Sequence, residues 1–383
     1  MLCHAFMFGF AMSVSSRSRL CRMDGPEDLD VMLHQGVGEL RENAHEHRAT
    51  VRMIRRRHQA SMLLVCACVV VMVLAGRRAG SMQEGASAQN RDRIQWGLYQ
   101  ILWSRRYGDQ LDVALAKFAS KPDYIMFYRD LGRSFPKRVV DTISRRGATT
   151  IVSLELWQWH GRHTGSYLPA INAGKFDAFF RQWARDAKAD GRRVLLRFGF
   201  EFNGNWFTWG GDPTGFVRAW HRARDIFDKV GATNVEWVWA PNIVSVPNTT
   251  TNSMHSYYPG DTYVEWIGVD GYNFGDHHDI WHKWQTFAEV FDEVLSDFQR
   301  RYADKPVIIA EFACAPGLPG RQAEWIRQAY RNLLARPQVK AVVWFNLDKH
   351  EEGEPNWRLD RAADSLRAFN ETFAAPRGQH ALP

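Results

Sequence analysis

From about residue 94 onward, short apolar runs alternate with stretches in which apolar residues recur every three or four positions. The runs are 94–99 (Ile-Gln-Trp-Gly-Leu-Tyr), 123–128 (Asp-Tyr-Ile-Met-Phe-Tyr), 149–155 (Thr-Thr-Ile-Val-Ser-Leu-Glu), 193–200 (Arg-Val-Leu-Leu-Arg-Phe-Gly-Phe), 235–240, 264–269, 306–310 and 340–345. They predict buried strands. Between the last of them, Phe287, Val290, Phe291, Val294, Leu295, Phe298 and Tyr302 mark one face of a helix within 284–302. Trp325, Ile326, Ala329, Tyr330, Leu333 and Leu334 mark another. Eight strands alternating with helices over roughly 280 residues predict an α/β chain closed into a (β/α)8 TIM barrel as a single catalytic domain. A doubly wound open sheet, the main rival, would place a Gly-rich phosphate-binding turn after its first strand, and none is there.

The N-terminal part reads differently. Residues 60–76 form the one membrane-grade apolar run, preceded by Arg52, Arg55, Arg56 and Arg57 and followed by the small-residue stretch Ala86-Ser-Ala88. That order is the layout of a secretory signal. The alternative is an anchor, with Arg77 and Arg78 stopping transfer. The expected organisation is therefore an extension over 1–52, a signal peptide or membrane anchor over 53–88, the barrel over 89–375 and a tail over 376–383. Either reading of 60–76 places the barrel outside the cytoplasm, secreted or periplasmic.

Two of the strand-like runs lead to a glutamate: Glu201 in Arg197-Phe-Gly-Phe-Glu-Phe-Asn-Gly-Asn-Trp206, and Glu311 in Pro306-Val-Ile-Ile-Ala-Glu311. A charge at the mouth of an apolar strand costs desolvation energy unless it is paired or used. In a barrel the active groups sit at the C-terminal ends of strands, and strands four and seven face each other across the mouth. A pair of carboxyls there can hydrolyse a glycosidic bond with retention, one protonating the leaving oxygen and the other attacking the anomeric carbon. The aromatic neighbours Phe200, Phe202 and Trp206 would bury Glu201, and Glu311 would add a negative charge, both favouring the protonated acid. Arg197, expected inside the barrel, would pair with a carboxylate and hold the nucleophile ionised. Asn203 is placed to bond a sugar hydroxyl. Trp157 and Trp159 after the third strand, and Trp206 and Trp209 after the fourth, are candidate surfaces for sugar rings or, equally, core.

The segment Arg197–Gly210 resembles the strand-four signature of glycoside hydrolase family 26, a family of (β/α)8 enzymes best known for endo-β-1,4-mannanases. Val238-Trp-Ala-Pro-Asn242, Tyr257-Tyr-Pro-Gly-Asp261, Val264-Glu-Trp-Ile-Gly-Val-Asp-Gly-Tyr-Asn273 and Ile308-Ile-Ala-Glu311 match in the family's order, over about residues 95–370. The resemblance implies Glu201 as acid/base, Glu311 as nucleophile, Tyr272 near the nucleophile and Trp344 as the floor of the −1 subsite. Where mannanases usually carry His before the acid/base, this chain has Phe200. That departure moves the expected substrate toward mixed-linkage β-glucan or an exopolysaccharide, with mannan and glucomannan still slightly ahead. A non-catalytic polysaccharide-binding barrel is the rival of another class.

Other features narrow the picture less. The net charge of +7 is uneven: residues 1–88 hold 11 Arg against 8 Asp or Glu, so the barrel carries only about +4 and nucleic acid is not an expected partner. Cys314 stands alone in the barrel, which excludes a disulfide framework there. His160 with His163, and Asp276-His-His-Asp279, lack the helical spacing of zinc hydrolases, so neither metal nor cofactor is expected. Asn346, Asp348 and Lys349 after the last strand could equally bond a distal sugar or be a solvated loop. The expected partner is a β-linked polysaccharide, met by a monomer.

Overall fold

The computed structural model describes residues 94–101, 107–160, 165–276 and 283–376. The extension over 1–52, the apolar segment 60–76, His163 and the run from His277 to Asp279 lie outside the described residues. Eight strands, β1 (Gln95–Tyr99), β2 (Tyr124–Asp130), β3 (Thr149–Glu155), β4 (Val194–Phe198), β5 (Val235–Trp239), β6 (Trp266–Asn273), β7 (Val307–Cys314) and β8 (Val339–Phe345), form the sheet. Each pairs in parallel with the next, and β8 pairs with β1 from Gln95↔Ala341 to Tyr99↔Phe345, closing the barrel. This is the (β/α)8 fold the alternation predicts.

The helices between them are α1 (Tyr107–Leu115), α2 (Lys137–Ser144), α3 (Leu168–Asn172), α4 (Asp177–Asp190), α5 (Pro213–Val230), α6 (Phe287–Arg301) and α7 (Arg321–Leu334), with α8 (Ala363–Glu371) after β8. Their ends follow local chemistry. Asp212 caps α5 by accepting from the Gly215 amide at 2.8 Å, Pro213 fills its first turn, and left-handed Gly231 (φ 76°) ends it. Thr286 and Glu289 form a capping box at the start of α6.

Strand ends differ from expectation in a way that matters for the site. β4 stops at Phe198, so Glu201 stands three residues beyond it, on a turn. β6 and β7 run on to Asn273 and Cys314, so Asp270 and Glu311 lie within strands. The extension passes through a register shift between Val269 and Asp270. Polar residues that bond one another inside the barrel can continue a strand that an apolar count would end.

Among the described residues nine tryptophans are fully buried, so most of the described indoles are core. Trp237 packs against Phe198, Trp220 and Phe227 between the barrel and the helices. Trp344 does the same on the opposite side, against Phe312, Trp325 and Phe369, and its Nε1–H donates to the Trp357 carbonyl at 2.8 Å. The expected subsite floor is therefore turned away from the mouth. Side chains alternate along a strand, and the next residue, Phe345, takes the inward position, stacked on Tyr99 with ring centroids 4.7 Å apart. Trp344→Ala should accordingly lower unfolding free energy by roughly 3–5 kcal/mol, measured by urea denaturation. A loss below about 1 kcal/mol would place this indole outside the core.

Candidate active site

The barrel interior at its C-terminal end is organised around Arg197 on β4. Its side chain is wholly buried, and a buried guanidinium without partners would cost several kcal/mol. It has two. One amino group, Nη1, donates to Glu311 Oε1 at 2.6 Å and to Ser153 Oγ at 2.8 Å, and the other, Nη2, donates to Asp270 Oδ2. Phe200 lies beneath the cation, with its ring 4.7 Å from Cζ. Burial alone would lower the Arg197 pKa, but the charges of Asp270 and Glu311 outweigh it and hold the group above its ordinary value.

Both oxygens of Glu311 are spoken for. Besides Arg197, Tyr128 donates to Oε1 at 2.7 Å and Tyr272 to Oε2 at 2.5 Å. Burial and the Glu311 charge hold both phenols well above the usual tyrosine range, so they remain donors. Two hydroxyls and a guanidinium are thus aimed at one carboxylate.

Glu201 has different surroundings. The chain leaves β4 through Gly199 (φ 56°) and turns again at Glu201, whose φ of 51° is left-handed. A non-glycine residue there costs about 1–2 kcal/mol. The turn is fixed by the Glu201 amide donating to the Ala240 carbonyl at 2.8 Å. Its carboxyl is buried and accepts from Asn242 Nδ2 at 2.8 Å and from Trp206 Nε1 at 2.6 Å. Burial first, then the Glu311 charge, push its pKa up to about 7, against the opposing pull of the Asn242 and Trp206 bonds and of Arg197. One oxygen from each of Glu201, Asp270 and Glu311 lies within 4.8 Å of the others. A cation could bridge such oxygens, but the Arg197 guanidinium already neutralises two of the three groups. The arrangement sets a carboxylate bonded by a guanidinium and two phenols opposite one whose pKa is pushed up to about 7.

The remaining expected residues divide. Arg197 and Tyr272 converge on Glu311, although Arg197 is sealed beneath the site rather than open to a substrate. Trp206 is 43% exposed and caps Glu201. A side chain at Gly204 would collide with its indole, so glycine is needed there. Asn203 does not reach the mouth: fully buried, it donates to the carbonyls of Asn242 and Val244 at 2.9 and 3.2 Å and accepts from the Asn242 amide. Its work is to hold the loop that presents Asn242. Trp209 is also fully buried, stacked on Phe207 and donating to the Phe200 carbonyl at 2.8 Å, so it supports the turn. Trp157 packs edge-on against Trp209 and Phe207. Trp159 donates to Glu155 and lies under Arg133 at 4.4 Å. His160 sits 3.4 Å from Arg133 Nη2. Asp348 is bonded by His350 and Asn356, and Lys349 pairs with Glu352 and Glu354. Cys314 is a buried free thiol.

Tyr128, Asn242 and Asp270 are site residues that the pattern alone does not single out. Tyr128 reads as the end of an apolar run, Asp270 falls just beyond one, and Asn242 becomes visible only when the loop after β5 folds back to Glu201.

The glycosyl hydrolase family 26 profile matches residues 168–302. The chain is 33% identical over 250 residues to endoglucanase H of Acetivibrio thermocellus, covering 63% of this chain and 26% of that protein. It is 29% identical over 205 residues to mannan endo-1,4-beta-mannosidase A and B of Caldalkalibacillus mannanilyticus, covering 50% and 33% respectively. The chain thus spans about a quarter to a third of the length of the curated relatives it matches. Among solved structures, a family 26 β-mannanase from Bacteroides ovatus superposes with a TM-score of 0.54 at 17% identity, covering 76% of this chain and 91% of that one. A modular endo-β-1,4-mannanase from Cellulomonas fimi gives 0.54 at 18%, covering 76% and 73%. These two likenesses concern the fold. With the profile match and the sequence relatives added to the barrel and its carboxylates, the chain is similar to glycosyl hydrolase family 26.

Proposed function

We propose that this chain is an exported endo-acting β-glycanase that cleaves a neutral β-linked polysaccharide with retention of configuration. The observation that carries the reading is the pairing of Glu311 and Glu201, with oxygens inside 4.8 Å and opposite electrostatic surroundings. Carboxyl groups about 5–5.5 Å apart suit direct attack on the sugar, whereas inverting enzymes need about 6.5–9.5 Å to fit a water. Glu311, held by Arg197, Tyr128 and Tyr272, attacks the anomeric carbon as Glu201 gives its proton to the departing oxygen. A covalent glycosyl-enzyme on Glu311 results, and Glu201, now ionised, takes a proton from the water that releases the sugar. Keeping the proton on Glu201 rather than Glu311 is what the buried cation achieves.

Mannan or glucomannan is the substrate suggested by the mannanase relative and by the family resemblance. A β-glucan is the second reading, and two observations favour it. Endoglucanase H matches over more of the chain at higher identity. Phe200 is buried against Arg197 and Tyr128, where it offers a sugar no polar contact. A binding-only barrel fits less well, since sugar binding alone does not require two buried carboxyls this close with such different hydrogen-bond partners. Export rests on the apolar segment 60–76 and its flanking arginines.

The direct test is reducing-sugar release by the full chain from galactomannan, glucomannan, barley β-glucan, xylan and cellulose. Release from the mannans alone supports the mannanase reading, release from barley β-glucan alone the glucanase, and release from none refutes both and leaves an exopolysaccharide hydrolase or the binding-only barrel. Glu311→Ala should abolish turnover of every substrate; appreciable residual release would remove it as nucleophile. Glu201→Ala should cost about 10²–10⁴-fold on polymer but far less on an aryl glycoside whose leaving group needs no proton. Equal losses on both would contradict the acid role. Trp206→Phe keeps the ring but removes a donor that lowers the Glu201 pKa. Because the acid must be protonated, the alkaline limb of kcat/KM should then move to higher pH, and an unmoved limb would show that the indole bond does not set the acid.

A further inference from the structure

On β3, Ser153 points inward to Arg197, so Glu155, two residues further toward the mouth, points inward as well. Its register partner on β2 is Asp130, itself two residues beyond the inward-facing Tyr128. Two carboxyls thus stand side by side on the β1–β3 wall, next to Tyr99 of β1 and near Glu311 of β7. No mechanistic step described above uses Glu155.

Asp130 is buried and structural: Oδ2 accepts from the Trp159 amide at 2.8 Å, and Arg133 lies 3.5 Å from Oδ1. Glu155 differs. It is only partly buried, and it is satisfied by indoles rather than by a cation, Trp159 donating to Oε2 and the Trp157 indole also favouring the ionised form. A neutral donor orients a carboxylate without cancelling its charge, a costly arrangement for a group that only held loops together. Burial, with Asp130 and Glu311 adding to it, pushes its pKa up to about 7 against the pull of those indoles.

We propose that Glu155 is a sugar-binding carboxylate: it accepts hydroxyl hydrogen bonds from a neutral hexose unit on the glycone side of the cleavage point, with Trp157 and Trp159 aiming it. The inference rests on the glycanase reading. The side follows from the geometry. Trp206 and Asn242, which hold the proton donor, lie on the β4–β5 side, where the leaving group must sit. The β1–β3 wall is left for the sugar that stays on Glu311. The ligand class follows from the charge. Glu155 stands on that wall beside buried Asp130 and faces Glu311 across the mouth, so the wall accepts hydroxyl donors and repels uronic acids. A hydrogen bond to a charged acceptor is worth roughly ten- to a hundredfold in affinity. The two indoles, expected from the sequence to stack on sugar, act in this account by positioning the carboxylate.

The experiment is calorimetric titration of the full chain carrying Glu311→Gln, which binds without turnover, with manno- and cello-oligosaccharides of increasing length. Glu155→Gln is then added to that parent. The expected result is a loss of about tenfold or more for the longer ligands, with little change for the shortest. A general disturbance of the barrel would instead weaken all lengths alike and would overturn the assignment. So would affinities within about twofold of the parent at every length, in which case the glycanase reading survives. If the parent binds no oligosaccharide of either series, the glycanase reading falls and this inference with it. Should Glu155→Gln unfold, Glu155→Asp, which retracts the charge by one methylene, is titrated in the same way, with the same outcomes expected and excluded.

Discussion

Arg197 is the constraint on which the site depends. A guanidinium sealed inside a barrel is tolerable only if charged partners surround it, because its uncompensated burial would exceed a large part of a domain's net stability. Asp270 and Glu311 are therefore bound to β4 from across the interior. Ser153 fills a further donor direction, and the Phe200 face takes the underside of the cation. Strands β3, β4, β6 and β7 are tied together by one side chain. The register shift of β6 and β7 at Asp270 falls beside the same contact.

That single cation also divides the labour between two chemically identical side chains. Glu311 receives a charged donor and two phenols, whereas Glu201 receives an amide and an indole and stands beside the Glu311 charge. The difference is one of surroundings, not of residue type, and in the proposed mechanism it yields an attacking anion and a proton donor within 4.8 Å. The left-handed backbone of Glu201 belongs to the same device. Its small conformational cost turns the side chain back over the mouth instead of along the strand, and a backbone bond to Ala240 and the Trp209 bond to Phe200 keep the turn in place.

The barrel was legible in the sequence because its strands are nearly uniformly apolar and its helices strongly periodic, as with Phe287–Phe298 in α6. The pair Glu201 and Glu311 was legible because charge at the end of an apolar run is conspicuous. What period-based reading could not supply was side-chain direction. Trp344 and Phe345 are equally aromatic neighbours, and only the pleat decides that the first meets the helices and the second the mouth. Asn203 and Asn242 present the same difficulty. Both belong to polar loops, and the former's four bonds to the latter's loop are long-range contacts that no local pattern encodes. Asp270 was hidden for a third reason. It continues a strand that apolar counting ends at Val269, and its burial makes sense only once Arg197 is known to lie opposite.

The central claim, that Glu311 is the anion that bonds to sugar while Glu201 carries the proton, is tested most directly by trapping. The full chain would be incubated with a fluorinated β-glycoside bearing an activated leaving group, then examined by intact mass and peptide mapping. The account predicts one added glycosyl unit, located on Glu311. An unchanged mass in a chain that hydrolyses the parent glycoside, or an adduct on Glu201 or Asp270, would contradict it.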